Sequence, residues 1–559
     1  MVELQATEDA AGGGKAMPLL VRLQHGALRA FAARLLHRYR LIGRVPEDLR
    51  RRIGERWPGD PKRGAAILAG DIEFAGELVR NPSPAWLPPS ASPEWLAAWH
   101  GFAWLADLAS AGDEAREAAR AVIQSWLEDA VAWHPIVWRS DVLASRIFAW
   151  ITHLDELAGR ELDRPLRRAM LASLAAQLRH LARMAAWETA GPARLRSVKG
   201  LLAGLVAFGG AERRIGQALR LLEREMRQQI LPDGGHRSRN PSMQLEVLRD
   251  LIDIRGTLRT GRIRPPVVLT NAIEAMAPML RLFRHGDRRL ALFNDSIEED
   301  GVLLDLVLTR SEAKGSAPAQ APDAGFQRLH AGQTLLILDA GKPPPEDFDQ
   351  AAHAGMLSFE LSQARERIIV NCGGYRGPNP AWRRMARASA AHSVLVVGDT
   401  NAVEIQADGS LGRAPDMVHC ERAEEEGHQW VMATHDGYRP RFGLTYSREL
   451  YLAPDGNDLR GEDKLTGNAG IDFAVRFHLH PAVEASLSPD AGAALLRLPS
   501  GAAWGLRATG AAMSLGESVY LGSGEAKKTQ QVVVSGTTGS NGAVIRWALR
   551  RETTAPARA

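Results

Sequence analysis

Cysteine is scarce: the 559-residue chain has two, Cys372 and Cys420. Two cysteines cannot build a disulfide framework, and neither stands at metal-ligand spacing. Cys372 lies in the apolar run IIVNCGG and reads as a small buried side chain, so cysteine usage leaves the compartment open. Long apolar runs are missing too. No stretch of about 18 uncharged apolar residues occurs, which excludes a transmembrane helix. The opening MVELQATEDAAGGGKAMPLLVRLQHGALRAFAARLLHRYRL has no basic segment leading into an unbroken apolar one, so no signal peptide is expected. Charge of one sign is also lacking: the formal net charge is +4 and no nucleic-acid-binding motif is present, so nucleic acid is not an expected partner.

What remains is the composition of a soluble globular protein, 45% apolar and 24% charged, long enough for two or more domains. Arginine greatly outnumbers lysine. Its planar fork suits carboxylates, sulfates and phosphates, although GC-rich coding produces the same bias. Residues 18–42 pattern as a basic amphipathic helix, docked on a core, lying on the surface or touching a membrane.

Two different periods divide the chain. In EWLAAWHGFAWLADLA, Trp95, Trp99, Phe102 and Leu105 follow helical spacing, and further helical runs are read at 113–130, 141–158, 163–186, 196–208, 211–229, 242–258 and 268–284. No self-similarity with a period of about 34 or 40 residues appears, so a sequence-repeat solenoid is disfavoured. Many antiparallel helices of similar length suggest a toroid or bundle. Ten of the fourteen tryptophans precede residue 190, which suits a sugar-stacking cup or an aromatic core. SEAKGSAPAQAPDAG (311–325) lacks periodicity and reads as a linker or long loop. Short β-like runs follow: TLLILDA, MLSFELS, RIIVNCG, HSVLVVG, WVMATHD, LTYSRELYLA, DFAVRFHLH, AALLRLP, QQVVVSG and AVIRWALR. Turn residues separate them, as in an antiparallel sandwich.

Three segments carry a family resemblance: WHPIVWRSDVLASRIFAWI (133–151), LPDGGHRSRNPSMQLEVLRDLIDIR (231–255) and HAGMLSFELSQARERIIVNCGGYRGPNPAWRRMARASAAHSVLVV (353–397). The last has a His ahead of Ser-Phe-Glu-Leu, a strand ending in a Gly pair, and Ala-His before another strand. Together they resemble the heparinase II/III family of bacterial polysaccharide lyases. The resemblance implies an incomplete (α/α) toroid followed by an antiparallel β-sandwich, with substrate between them. The expected layout is an N-terminal extension and first helices over 1–92, a toroid over 93–308, a linker over 309–326 and the β domain over 327–550. Such proteins are typically exported to the periplasm. The absence of a readable leader leaves the cytoplasm open.

Lyases of this kind cleave beside a uronic acid by β-elimination. They need a group to neutralise the carboxylate, a base for the C5 proton and an acid for the leaving oxygen, commonly Asn, Gln or His with a tyrosine. Here the chain departs from the family. ETAGPARLRSVKGLLAG lacks the family's Asn-His pair, and no tyrosine stands between Tyr39 and Tyr375. Ala351-Ala352-His353 keeps one histidine of a His-x-His. The resemblance therefore nominates a modified set: His236, Asn240, His353 and Tyr375 for catalysis, and Arg237, Arg239, Arg383 and Arg384 for an acidic polysaccharide or oligosaccharide. Asp233 of the Asp-Gly-Gly turn reads equally as a structural device, and Arg383 and Arg384 as a solvated charge run. No cofactor is expected. Some relatives hold a structural zinc with two His and one Asp; His353 and His392 match the histidines, but Asn371, a poor zinc ligand, stands at the third position. Two functions remain open: a lyase with atypical catalytic residues, and a catalytically inactive glycan-binding or polysaccharide-assembly protein on the same fold. A helical scaffold with a protein-contacting β domain is a third.

Overall fold

The computed structural model describes residues 43–552, apart from 54–56, 83–84, 130–132, 159–163 and 189–190. The amphipathic segment read at 18–42 lies outside the described residues.

The helical half runs α1 (Pro61–Leu68), α2 (Pro93–Gly101), α3 (Leu105–Ser110), α4 (Asp113–Asp129), α5 (Ser140–Leu157), α6 (Arg164–Met184), α7 (Pro192–Phe208), α8 (Glu212–Gln229), α9 (Pro241–Thr260), α10 (Val267–Leu282) and α11 (Gly301–Ser311). Local chemistry sets the starts of several. Ser92 and Asn240 each accept a hydrogen bond from a first-turn backbone N–H, and Pro93 and Pro241 follow them at a position that needs no donor. The helices alternate in character. In α5, α7 and α9 burial extends round most of the surface, whereas α4, α6 and α8 bury one stripe and leave a polar face to solvent. α5 packs on α7 and α7 on α9, so the buried helices form an inner layer and the amphipathic ones an outer layer. This is the (α/α) toroid. Most of the tryptophans build its core: Trp95, Trp104, Trp126 and Trp150 are fully buried, with Trp99 stacked on Trp104 at 4.6 Å and Trp126 edge-on to Trp150 at 5.2 Å, while Trp187 is exposed.

The second half is two antiparallel sheets. One orders its strands 484–487, 493–497, 503–509, 543–551, 458–467, 444–452, 428–435 and 418–425. The other orders 512–520, 527–537, 472–479, 366–370, 359–363, 334–339, 326–331 and 320–321, with 395–397 beside 472–479. The two sheets enclose one apolar core, within which Arg448 and Asp463 form a fully buried pair 2.7 Å apart.

The strand Thr334–Asp339 is buried at every position. Leu336 and Leu338 enter the sandwich core, while Leu335 and Ile337 join the core of the helical half. That double burial explains why TLLILDA is a continuous apolar run and not an alternating one. Phe326 extends the same seam, edge-on to Phe283 at 4.8 Å and Phe293 at 5.3 Å. Apolar area therefore joins the halves, and the residues nominated for chemistry lie beside that seam.

A hairpin of strands Asp71–Phe74 and Glu77–Arg80 adds a second bridge. Ile72 and Val79 bury its stem in the helical half. Its turn, Ala75 at φ 51° and Gly76 at φ 69°, lies against the backbone of Arg376 and Gly377 in the β half.

Candidate functional site

The Asp-Gly-Gly turn leads from α8 into α9. Asp233 holds it: one carboxylate oxygen accepts from Gly235 N–H at 2.9 Å, the other from Asp323 and Ala324 N–H at 2.9 and 2.7 Å. The same carboxylate thus shapes the turn and ties it to the segment entering the β half.

His236 follows and is buried. Its Nδ1 pairs with Ser238 Oγ at 2.8 Å, its Nε2 lies 3.4 Å from Gln229 Oε1, and its ring meets Phe348 edge-on. Burial, reinforced by the Arg237 charge, pulls its pKa down to about 3. Arg237 is half-buried, its backbone N–H donating to Gln229 O and its buried Nε without a hydrogen-bond partner. Arg239 departs from the sugar-binding role expected for it. Its Nε donates to Ala324 O at 2.7 Å, Nη1 to Lys342 O at 2.8 Å and Nη2 to Asp339, and the guanidinium lies over Phe326. With every nitrogen engaged across the seam, it is a tie between the halves.

Asn240 is the N-cap of α9. Its Oδ1 accepts from Met243 N–H at 3.0 Å and its Nδ2 donates to Asn294 O. Asn294 returns a bond to Arg239 O at 3.0 Å and accepts from the His353 backbone N–H at 3.1 Å. Asn294 and Asp295 are consecutive left-handed residues, at φ 47° and 64°. Asn and Asp tolerate that conformation best among non-glycine residues. This corner aims Asp295 at the β half, where Arg376 donates to its carboxylate at 3.2 Å and to its carbonyl at 2.9 Å.

His353 Nδ1 and His392 Nε2 are 3.0 Å apart, and His392 Nδ1 donates to Ala388 O at 2.8 Å. His353 Nε2 is buried without a hydrogen-bond partner, 3.8 Å from Asp295 Oδ1. Burial lowers the pKa of both rings; for His353 the Asp295 carboxylate opposes it, and for His392 its histidine neighbour adds to it. Tyr375 is half-buried with its ring stacked on Trp382. Arg383 and Arg384 are exposed on the helix Pro380–Arg387.

The structure therefore brings Asn240, His353 and His392 into one chain of contacts through Asn294, with Tyr375 next to Arg376 on its rim. His236 packs beside them against Ser238, Gln229 and Phe348, and Arg383 and Arg384 stand outside. The sequence reading missed Asn294, Asp295 and Arg376. The available signal was the Asn-Asp pair breaking the apolar run LALFNDS, together with the arginine that follows Tyr375. Two surface depressions are defined elsewhere. One, of about 760 Å³, is lined by residues including Pro344, Glu346, Asp349, Glu404 and Arg413; the other, of about 400 Å³, by residues including Trp57, His153 and Arg310. Neither is lined by His236, Asn240 or His353.

The inner helices carry a ladder of ion pairs. Arg139 meets Asp141 at 2.6 Å, Arg196 meets Glu246 at 3.1 Å, and Lys199 bridges Asp250 and Asp253 at 2.5 and 3.2 Å. Trp57 donates to Asp253 at 2.8 Å, between the guanidinium groups of Arg249 and Arg310. These three inner cations are already paired within the protein.

No group of three or more His, Cys, Asp or Glu able to hold a metal occurs among the described residues. The zinc of some relatives does not fit the matching positions. Asn371 turns its acceptor oxygen to Ser393 N–H at 3.0 Å and leaves only an amide nitrogen, which cannot ligate. No helix among the described residues is long and apolar enough to cross a membrane.

Residues 313–548 match the family model "Heparinase II/III-like, C-terminal". The chain is 30% identical over 548 residues to FtsZ-localized protein C of Caulobacter vibrioides, covering 92% of both chains. Among solved structures it resembles heparinase III, with a TM-score of 0.70 at 14% identity over 95% of this chain and 91% of that one. It also resembles the heparan sulfate lyase HepC of Pedobacter heparinus, with a TM-score of 0.60 at 16% identity over 95% and 90%.

Proposed function

Since the chain belongs to the heparinase II/III-like family, we propose that it is a non-catalytic member, retained as a binding scaffold that works at the site of cell division. One observation carries the first part. Three of the four groups nominated for elimination are buried and engaged within the protein: His353 on His392, Asn240 on its own helix and Asn294, and His236 on Gln229 and Ser238, while Tyr375 stacks on Trp382. Elimination requires a neutraliser, a base and an acid that reach a sugar within hydrogen-bond distance. Groups held in this way turn toward a sugar only by breaking those bonds. The helical half also supplies no tyrosine, since none stands between Tyr39 and Tyr375.

The division-site role rests on the near full-length likeness to a protein named for localisation with FtsZ. An acidic glycan as partner draws its support from the family and from the exposed Arg383 and Arg384. The paired state of Arg139, Arg196 and Lys199 argues against a polyanion entering between the inner helices. Export to the periplasm has no support beyond the family resemblance.

A second reading, a lyase with modified residues, is favoured by the proximity of Asp295, His353 and Arg376 beside Tyr375. One experiment separates the two. Purified protein is incubated with a panel of uronate-containing polysaccharides, with and without chelator, and newly formed unsaturated ends are followed by their absorbance. A fluorescent fusion is imaged in dividing cells in parallel. The proposal expects no unsaturated product and a band at midcell. Product formation that disappears in His353→Ala and Tyr375→Phe establishes the lyase instead.

A further inference from the structure

We propose that a hydrogen bond between His353 and His392 occupies the place that zinc takes in some relatives, and that an amide in place of a carboxylate at Asn371 keeps the metal from binding.

The tautomers follow from the partners. His392 Nδ1 faces the Ala388 carbonyl at 2.8 Å, so it carries the proton and leaves Nε2 bare. His353 Nδ1, 3.0 Å from that bare nitrogen, must then donate to it. This places the His353 proton on Nδ1 and leaves its Nε2 as a lone pair, which accounts for that buried atom having no partner although Asp295 Oδ1 is 3.8 Å away: both are acceptors.

A metal between the rings reverses this pattern. His353 Nδ1 and His392 Nε2 would both be lone pairs, and the His353 proton would move to Nε2, facing Asp295. A carboxylate on one ligating histidine and a backbone carbonyl on the other is the outer shell that metal-binding histidines generally have. Both parts, Asp295 and the Ala388 carbonyl, are already in place. The defect is at residue 371. Its Oδ1 accepts from Ser393 N–H, adjacent to His392, and its Nδ2 is fully buried without a partner. A carboxylate in the same orientation keeps the Ser393 bond and replaces the unpartnered amide nitrogen with an anionic oxygen, which zinc binds.

The test uses the full chain. Wild type, Asn371→Asp and the double variant Asn371→Asp/His392→Ala are equilibrated with zinc and freed of unbound metal by gel filtration. Bound zinc is then measured by mass spectrometry, and thermal unfolding is recorded with and without zinc. The proposal expects no stoichiometric zinc on wild type, one per chain on Asn371→Asp with a zinc-dependent rise in Tm, and loss of both in the double variant. One zinc on wild type that is lost in His392→Ala overturns it, because the site would then be intact. A folded Asn371→Asp that takes no zinc also overturns it. If Asn371→Asp does not fold, Asn371→His supplies a third neutral ligand and is judged by the same two readouts.

Discussion

Replacing Arg239 by alanine tests how the two halves are held together. The side chain is almost fully buried and donates to Ala324 O, Lys342 O and Asp339, while its guanidinium covers Phe326. Removing it leaves the Asp339 carboxylate buried without its cation and two carbonyls without donors. Truncating one member of a buried ion pair costs about 3–5 kcal/mol, most of it the penalty of the stranded charge. Asp339→Asn in the same background removes that charge, so the double variant should recover part of the loss, and the coupling should reach about 1–3 kcal/mol. Urea unfolding of the four proteins, followed by tryptophan fluorescence, measures both quantities. A surface arginine kept for sugar behaves differently, with Arg239→Ala within about 0.5 kcal/mol of wild type. That result, or strict additivity with Asp339→Asn, refutes the structural role.

Gly341 is part of the same arrangement, since a Cβ there would stand 2.7 Å from Arg239 Nη2. Gly341→Ala should cost about 1–3 kcal/mol and keep part of that cost in Arg239→Ala, because the same Cβ would also stand 2.7 Å from Gly325 Cα, measured by the same urea unfolding. Asp287 provides a pH signature. Burial pushes its carboxyl up, but the Arg367 guanidinium 2.8 Å away outweighs this and brings its pKa down to about 2. A folded-state value below the unfolded one means stability that is complete above about pH 4 and lost as pH falls toward 2, amounting to about 2 kcal/mol. The gap in urea midpoint between wild type and Asp287→Asn should therefore shrink between pH 5 and pH 2.5; a constant gap contradicts the assignment. At the hairpin tip, Gly76→Val combines a left-handed backbone with a Cβ that would stand 1.9 Å from Arg376 O. It should cost about 1–3 kcal/mol and speed amide hydrogen exchange around Tyr375–Gly377, whereas unchanged exchange there argues against the bridge.

The architecture was legible because the residues that specify it are numerous and periodic. The helical run read at 113–130 is Asp113–Asp129 and that at 211–229 is Glu212–Gln229, each set by an apolar stripe spaced for one face. Strands with a buried face were equally readable. The missed strands lack that alternation of apolar and polar residues. Val418–Glu425, which reads VHCERAEE, is an edge strand with charged residues that guard against pairing with another chain, and Asp458–Gly467 carries charges and glycines between its inward leucines. The hairpin at 71–80 is too short for periodicity to register, and its Ala-Gly turn lacks the Asn or Asp that usually marks such a connection.

The site resisted reading for a different reason. Sequence shows which polar groups exist but not whether they are free, and here the difference is decisive. His236, Arg239 and Asn240 lie within five residues of one another and looked like a cluster aimed at a ligand. The backbone sends them three ways, Arg239 at φ 56° turning into the seam while Asn240 begins α9. His236 turns to its neighbours Ser238 and Gln229, whereas Arg239 meets Asp339 and Asn240 meets Asn294, both distant in sequence. A buried polar group left unpaired costs about 1–3 kcal/mol. Polar groups buried in the seam are therefore under pressure to pair internally. The Arg239–Asp339 and Asn240–Asn294 contacts have that character, whereas Asn371 Nδ2, His353 Nε2 and Arg237 Nε are buried without a hydrogen-bond partner.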